Sequence, residues 1–198
     1  MSPLTKFWLT KVKDPASFSD QTFLGLLRDA TSFCASYTNP NNDPSTPTMH
    51  AFYRVVNTKG NGSSPSDLLL MVSGYPSQEL NEEVHNVYMP EYGARMFQYV
   101  EHVSLRQVEL VSSELPLVEK VVVSCTTGGS EGPKDGQVGG WDTWQQTPEA
   151  RAIISAQGGR KDGIGGERVW VGVEPWLDTE ETLGSGQEVF YCEMIASG

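Results

Sequence analysis

The strongest constraint in this chain is an order of patterns. Over residues 6–111, apolar periods of two and of about 3.6 residues alternate, and proline, glycine or a capping side chain marks each change. Phe7 to Val12 alternates weakly and runs into Asp14-Pro15, as a strand does when it ends in a turn. Phe23, Leu26, Leu27, Ala30, Phe33, Cys34 and Tyr37 then recur at helical spacing, behind Ser17 and Asp20, which have the separation of a capping box. Asn39 to Thr48 holds three prolines, two adjacent asparagines and an aspartate, and reads as a loop. His50 to Asn57 and Asp67 to Ser73 are β-branched, aromatic or aliphatic, and the polar tract Lys59 to Ser66 between them predicts an antiparallel hairpin. Gly74-Tyr75-Pro76 stops the second of these strands, and Ser77 is an N-cap for Leu80, Val84, Val87 and Tyr88. Pro90 interrupts that helix, which resumes with Tyr92, Met96, Tyr99, Val100 and Val103 before Leu105 to Val111 alternates as a final strand.

The resulting order, β-α-β-β-α-β, is that of a ferredoxin-like unit. At 198 residues the chain is about twice that length, and residues 117–198 read as a shortened echo of the same order. Lys120 to Thr126, Arg168 to Glu174 and Glu188 to Ala196 have strand character. Trp141 to Gln157, with Thr147 and Pro148 as cap and first position, reads as a helix. Leu177 to Gly186 leaves room for one more helical turn. The expectation is an α+β protein of two ferredoxin-like units in tandem, residues 1–116 and an abbreviated 117–198, forming a barrel within the chain or between two chains of a homodimer.

Composition narrows the partners. Fourteen Lys and Arg against 25 Asp and Glu give a net charge of −11 without a basic cluster, which disfavours nucleic acid and anionic membrane surfaces. Apolar runs reach about five residues, far short of the roughly 20 that span a bilayer. Residues 1–10 lack the apolar stretch of a secretory signal, so the expected compartment is the cytosol, with Cys34, Cys125 and Cys192 as buried free thiols.

Three stretches carry a resemblance. Leu68-Leu69-Leu70-Met71-Val72-Ser73-Gly74-Tyr75, the helical Glu82 to Gly93, and Tyr99-Val100-Glu101-His102-Val103-Ser104-Leu105-Arg106-Gln107-Val108-Glu109-Leu110 resemble the third strand, second helix and fourth strand of the dimeric α/β-barrel superfamily. The likeness is to its fungal monooxygenase-like and stress-responsive barrel members. It implies face-to-face ferredoxin-like units and a site for a hydrophobic small molecule. Two departures stand out. Tyr75 occupies the place where such proteins often have Trp, and Met89-Pro90-Glu91-Tyr92 replaces the His-Pro-x-His segment of the barrel cyclases. A mechanism using those two histidines does not carry over, and His85, one turn earlier, is the substitute.

Other chemistries lack their motifs. Eleven of the 41 residues from Thr126 to Gly166 are Gly, yet the segment holds neither a Walker A sequence nor a dinucleotide fingerprint and reads as loops, with a substrate lid as the alternative. His50, His85 and His102 fall on different elements without metal-ligand spacing, and no Gly-x-Ser-x-Gly elbow is present, so neither a metal nor another cofactor is expected.

What remains is acid/base work in an apolar pocket, between helix and sheet or inside the barrel. His85 and Tyr88 share a helical face and are the first catalytic candidates; the competing reading packs Tyr88 in the core and leaves His85 solvated. Asp142, as base or helix cap, and Glu193, as a buried carboxylate, follow. Tyr75, Tyr92, Trp141 and Trp144 would shape the pocket, the two tryptophans alternatively anchoring on the sheet. His50 and Arg54 share a strand face, where Arg54 either points into the barrel or forms a surface ion pair. The expected function is cofactor-independent cyclisation or isomerisation of a polyketide- or terpenoid-type molecule. The alternatives are cofactor-free oxygenation of an electron-rich aromatic and a non-catalytic binding or assembly barrel; a sealed, side-chain-filled interior would support the last and sink both enzyme readings.

Overall fold

A computed structural model describes residues 2–41, 43, 48–59, 67–128, 137–144, 147, 150, 168–177 and 187–198. Strand β1 is Leu4–Val12, helix α1 Gln21–Thr38, β2 His50–Lys59, β3 Leu68–Tyr75, α2 Gln78–Tyr88, α3 Ala94–Tyr99 and β4 Val100–Val108. Four further strands follow: β5 Lys120–Thr127, β6 Val138–Trp141, β7 Val169–Pro175 and β8 Gln187–Ser197. All eight form one antiparallel sheet in the order β4-β1-β3-β2-β8-β5-β7-β6. Numbered within each group of four, that order is 4-1-3-2 twice over, the spatial order of a ferredoxin-like sheet. The fold is α+β and ferredoxin-like.

Local signals position most elements. The α1 cap is Asp20, whose carboxylate accepts from Thr22 N at 2.8 Å, rather than Ser17, which lies in a short 3-10 turn, Pro15–Ser19. Ser77 caps α2 by accepting from Leu80 N at 3.2 Å. Pro90 has no amide proton to give, and the chain crosses it in a single π turn, Met89–Gly93, between α2 and α3.

Two expectations need correction. Val100 to Val103 continue a helical stripe in the sequence but lie in β4, where Val100 pairs with Val12, Glu101 with Lys11 and His102 with Thr10. An edge strand beside β1 gains a full ladder, which outweighs the local period. Strand β6 was not expected at all; a helix was read from Trp141 onward, and that residue instead ends β6 opposite Trp170. Gly139 and Gly140 hide this strand because they contribute no side chain to an alternating pattern. Space demands them: a Cβ on Gly139 would collide with Val171 O, and one on Gly140 would sit 3.1 Å from Val108 Cβ. The helix read over Trp141 to Gln157 beyond Ala150, the helical turn read in Leu177 to Gly186, and most of the glycine-rich segment lie outside the described residues.

The sheet curls until its two ends meet. Val108 of β4 bridges Asp142, just past β6, and Thr143 N donates to Gln107 O at 2.7 Å. Alternate residues therefore point to an enclosed inner side or to an outer side. The inner side is filled by Phe7, Leu70, Val72, Val123, Val171 and Phe190, among others, drawn from both groups of strands. On the outer side of the first four strands, α1 buries Phe23, Leu27 and Ala30 against Phe52 and Leu69, and α2 and α3 add Val84 and Met96. No helix among the described residues is long and apolar enough to cross a membrane.

Candidate functional site

The helix layer leaves space over one end of β1, β3 and β4. A cavity of about 490 Å³ lies there, floored by Lys6 and Trp8 of β1, Ser73 and Tyr75 of β3, and His102 of β4. Asn81, His85 and Tyr88 of α2 form its opposite wall. Asn81, Val84, His85 and Tyr88 fall three, one and three residues apart, so one face of α2 meets the cavity. Trp144, which follows β6, adds a wall from the far end of the sheet.

Asp142 explains how Trp144 reaches this place. One carboxylate oxygen accepts from Gln107 N and Trp144 N, both at 3.0 Å, and the other meets Arg106 Nη1 at 3.0 Å. The Asp142 side chain is 3% exposed, and these bonds compensate its burial. The carboxylate thus ties β4 to the segment after β6, and it does not line the cavity. Its contacts are those of a structural clamp.

Four of the residues singled out from sequence come together at the cavity: Tyr75, His85, Tyr88 and Trp144. Tyr88 is buried, and its hydroxyl has no hydrogen-bond partner among the described residues. Burial, with smaller contributions from Cys34, Tyr75 and Tyr92, drives its pKa far above the ordinary phenol value, so it is a donor rather than a phenolate. Trp144 Nε1 is likewise buried without a partner among the described residues. His85 is exposed at the rim.

Other sequence candidates lie elsewhere. His50 is fully buried behind the floor, with its pKa pushed down to about 3 by desolvation. Arg54 is half-buried and stacks its guanidinium 4.7 Å from the centre of the Phe18 ring, on the helix side and not inside the barrel. Tyr92 stacks on Tyr88 at 5.7 Å and so supports the wall from behind. Trp141 packs edge-on against Trp170 at 5.3 Å, with Arg168 4.3 Å above its ring. Glu193, expected as a buried carboxylate, is corrected: its side chain is 42% exposed and meets Lys120 Nζ at 2.8 Å. The strand it occupies is apolar, but its register turns this residue outward beside Lys120.

The sequence reading missed Lys6, Trp8, Ser73, Asn81 and His102 as wall residues. His102 is the most consequential. Trp8 Nε1 donates to its Nδ1 at 3.0 Å, so the neutral ring carries its proton on Nε2; the residue itself is exposed, and partial desolvation of the ring lowers its pKa. The alternation of β1 contained a signal, since Lys6 and Trp8 share a face that Phe7 and Leu9 do not. Among the described residues no three His, Cys, Asp or Glu side chains cluster as metal ligands.

The sequence matches no family model, and no curated protein matches it. Among solved structures the chain is similar to a protein described as a candidate monooxygenase from Lactobacillus acidophilus NCFM, at TM-score 0.51 and 5% identity, over 100% of this chain and 96% of that one. It also matches a protein described as a candidate chlorite dismutase, at TM-score 0.47 and 11% identity, over 98% and 95%. A mutant chlorite dismutase from Candidatus Nitrospira defluvii matches at TM-score 0.47 and 8% identity, over 98% and 93%. At 5% identity the likeness to the candidate monooxygenase is one of fold alone, and it supports the ferredoxin-like architecture.

Proposed function

We propose that the chain is an enzyme that binds a flat, largely apolar small molecule bearing a carbonyl or phenol oxygen, and moves a proton on it. The observation that carries this reading is a cavity lined by Tyr88 and Trp144, whose Oη and Nε1 are buried without partners among the described residues. A buried donor without a partner costs about 1–3 kcal/mol, and a ligand oxygen that reaches either of them would recover that cost. The same donors hold an enolate or phenolate better than the neutral molecule, because their bonds strengthen as negative charge develops. His85, at the rim, is the base that removes the proton and returns it to water. His102, protonated at Nε2, is a further donor on the floor. All of this is done by the chain's own side chains.

The test uses 2-tetralone, a benzo-fused ketone with acidic α-protons. In D2O the protein is expected to speed α-proton exchange, followed by NMR, and His85→Gln is expected to lower the rate on the order of 100-fold. Tyr88→Phe and Trp144→Phe each weaken 2-tetralone binding by about 3–10-fold, the worth of one hydrogen bond, read as loss of tryptophan quenching. Exchange no faster than in buffer overturns the proposal.

Cyclisation and isomerisation both follow from this proton transfer. Oxygenation is a second reading, favoured by the fold shared with the candidate monooxygenase, because an anion held by Tyr88 and Trp144 is also electron-rich enough to meet O2. An oxygen electrode separates them: oxygenation consumes O2 with turnover, and turnover that persists without O2 excludes it.

A further inference from the structure

Behind the cavity floor runs a line of hydrogen bonds that the acid/base reading leaves unused. His50 is paired with Ser73 across β2 and β3, and its Nδ1 lies 2.6 Å from Ser73 Oγ. Ser73 Oγ lies 3.0 Å from Tyr75 Oη, and both Ser73 and Tyr75 line the cavity. On the other side of the ring, Nε2 lies 3.0 Å from Thr38 Oγ1, which is 2.9 Å from Thr48 Oγ1 and 2.8 Å from Cys34 O. His50 is 0% exposed, whereas Thr48 is half-buried.

We propose that His50 is a positioning residue whose ring tautomer decides whether Tyr75 gives or takes a proton at the cavity wall. Its use in catalysis rests on the acid/base reading above; its geometry does not. Each hydroxyl in the line has one proton, so a neutral imidazole can be fitted in two ways. In the first, Nδ1–H donates to Ser73, Ser73 donates to Tyr75, and Thr38 donates to Nε2. The Tyr75 proton then goes to an acceptor other than Ser73. In the second, Tyr75 donates to Ser73, Ser73 donates to Nδ1, and Nε2–H donates to Thr38, whose proton goes to Cys34 O or Thr48. Both fill every ring nitrogen, and neither buries a charge. Desolvation keeps the ring neutral, with a pKa of about 3, so imidazolium does not compete at neutral pH.

Passage from the first arrangement to the second balances as one proton in and one out. The Tyr75 O–H bond breaks as the proton joins the ligand anion. The Ser73 proton moves to Tyr75, and the Nδ1 proton moves to Ser73. Nε2 takes the Thr38 proton, Thr38 takes that of Thr48, and Thr48 is refilled by water, which leaves as hydroxide. No oxidant or reductant is needed. Tyr75 thereby acts as an acid without a phenolate being left in the buried floor.

The experiment is NMR of the full chain labelled with 15N-histidine, which reads the protonation of each ring nitrogen of His50. Tyr75→Phe leaves Ser73 with Nδ1 as its partner in the line, so the His50 proton is expected to move to Nε2. The Nδ1 resonance then shifts toward the unprotonated position and Nε2 toward the protonated one. Ser73→Ala cuts the line, and adding Tyr75→Phe to it is expected to produce no further shift. Should Tyr75→Phe fail to fold, the same comparison is made between wild type and Ser73→Ala with and without 2-tetralone, which moves the His50 resonances only when the line is intact. Unchanged ring resonances in Tyr75→Phe, or in wild type on saturation with 2-tetralone when that variant is lost, overturn the proposal. His50→Gln keeps a donor and an acceptor but cannot tautomerise; it is expected to bind 2-tetralone and to lose at least about 10-fold in its exchange rate. A wild-type protein that catalyses no exchange sinks the acid/base reading, while the Tyr75→Phe shift still decides the relay.

Discussion

On its inner side the sheet packs Phe7, Leu70, Val123, Val171 and Phe190 into one another, whereas on the outer side of β1 and β3 Lys6, Trp8, Ser73 and Tyr75 face about 490 Å³ of space under the helices. Successive residues of the same two strands thus serve opposite ends. The enclosed side is built from Val, Leu, Phe and Tyr of both strand groups, and it acts as a scaffold. The covered side mixes His, Ser, Tyr, Trp and Lys, and the Tyr88 and Trp144 donors have no partner among the described residues. A filled barrel interior was the outcome that would have favoured a non-catalytic module. The filled interior counts for that reading and against a site inside the barrel, so the enzyme proposed above rests on the space between helix and sheet alone.

The sharpest way to break this contrast is to cut into both sides. Tyr53→Ala, at a fully buried inner position, is expected to cost about 3–5 kcal/mol in urea unfolding, since the filled interior cannot collapse around the void. Asp142→Asn removes the charge between Arg106 and the amides of Gln107 and Trp144, and is expected to cost about 3 kcal/mol. It should also weaken 2-tetralone binding, because Trp144 loses its anchor; unaltered binding would show that the clamp does not shape the cavity.

His50 makes a pH prediction. Its folded pKa, about 3, lies below the unfolded value of 6.5, so the unfolded chain binds the extra proton first as pH falls. The stabilisation is complete above pH 6.5 and is lost toward pH 3, at up to about 1.4 kcal/mol per pH unit. His102, also lowered, acts in the same direction. Unfolding free energies measured across this range should fall less steeply in His50→Gln; an identical slope would place the acid sensitivity elsewhere. The smallest effect separates stability from binding. Tyr88→Phe removes a hydroxyl that has no partner among the described residues, so it is expected to leave stability unchanged or raise it by about 1 kcal/mol while 2-tetralone binding weakens. Loss of stability instead would mean that the hydroxyl already has its partner in the folded protein.

Much of the first four-strand group was legible because its period changes coincide with punctuation: Asp14-Pro15, the polar tract after Lys59, Ser77 and Pro90. Reading failed where pairing outweighed period. Val100 to Val103 have helical spacing, yet the open edge of β1 draws them into β4, and His102 arrives on the cavity floor as a result. It failed again at β6, where two glycines erase the alternation that would reveal a strand. The site was half visible. His85 and Tyr88 could be paired from helical spacing alone, but Lys6, Ser73 and His102 share a floor only through the antiparallel register of three strands.

Sequence alone therefore determined the alternation of elements, the ferredoxin-like order, the capped helix α2 and the acidic surface, because each depends on neighbours within a few residues. Tertiary structure decided which face of the sheet is filled and which is left open, where Asp142 and Glu193 end up, and how His50 connects to Tyr75. Those outcomes depend on register between strands far apart in the chain. A shift of one residue would exchange the inner and outer faces, and no local pattern encodes that choice.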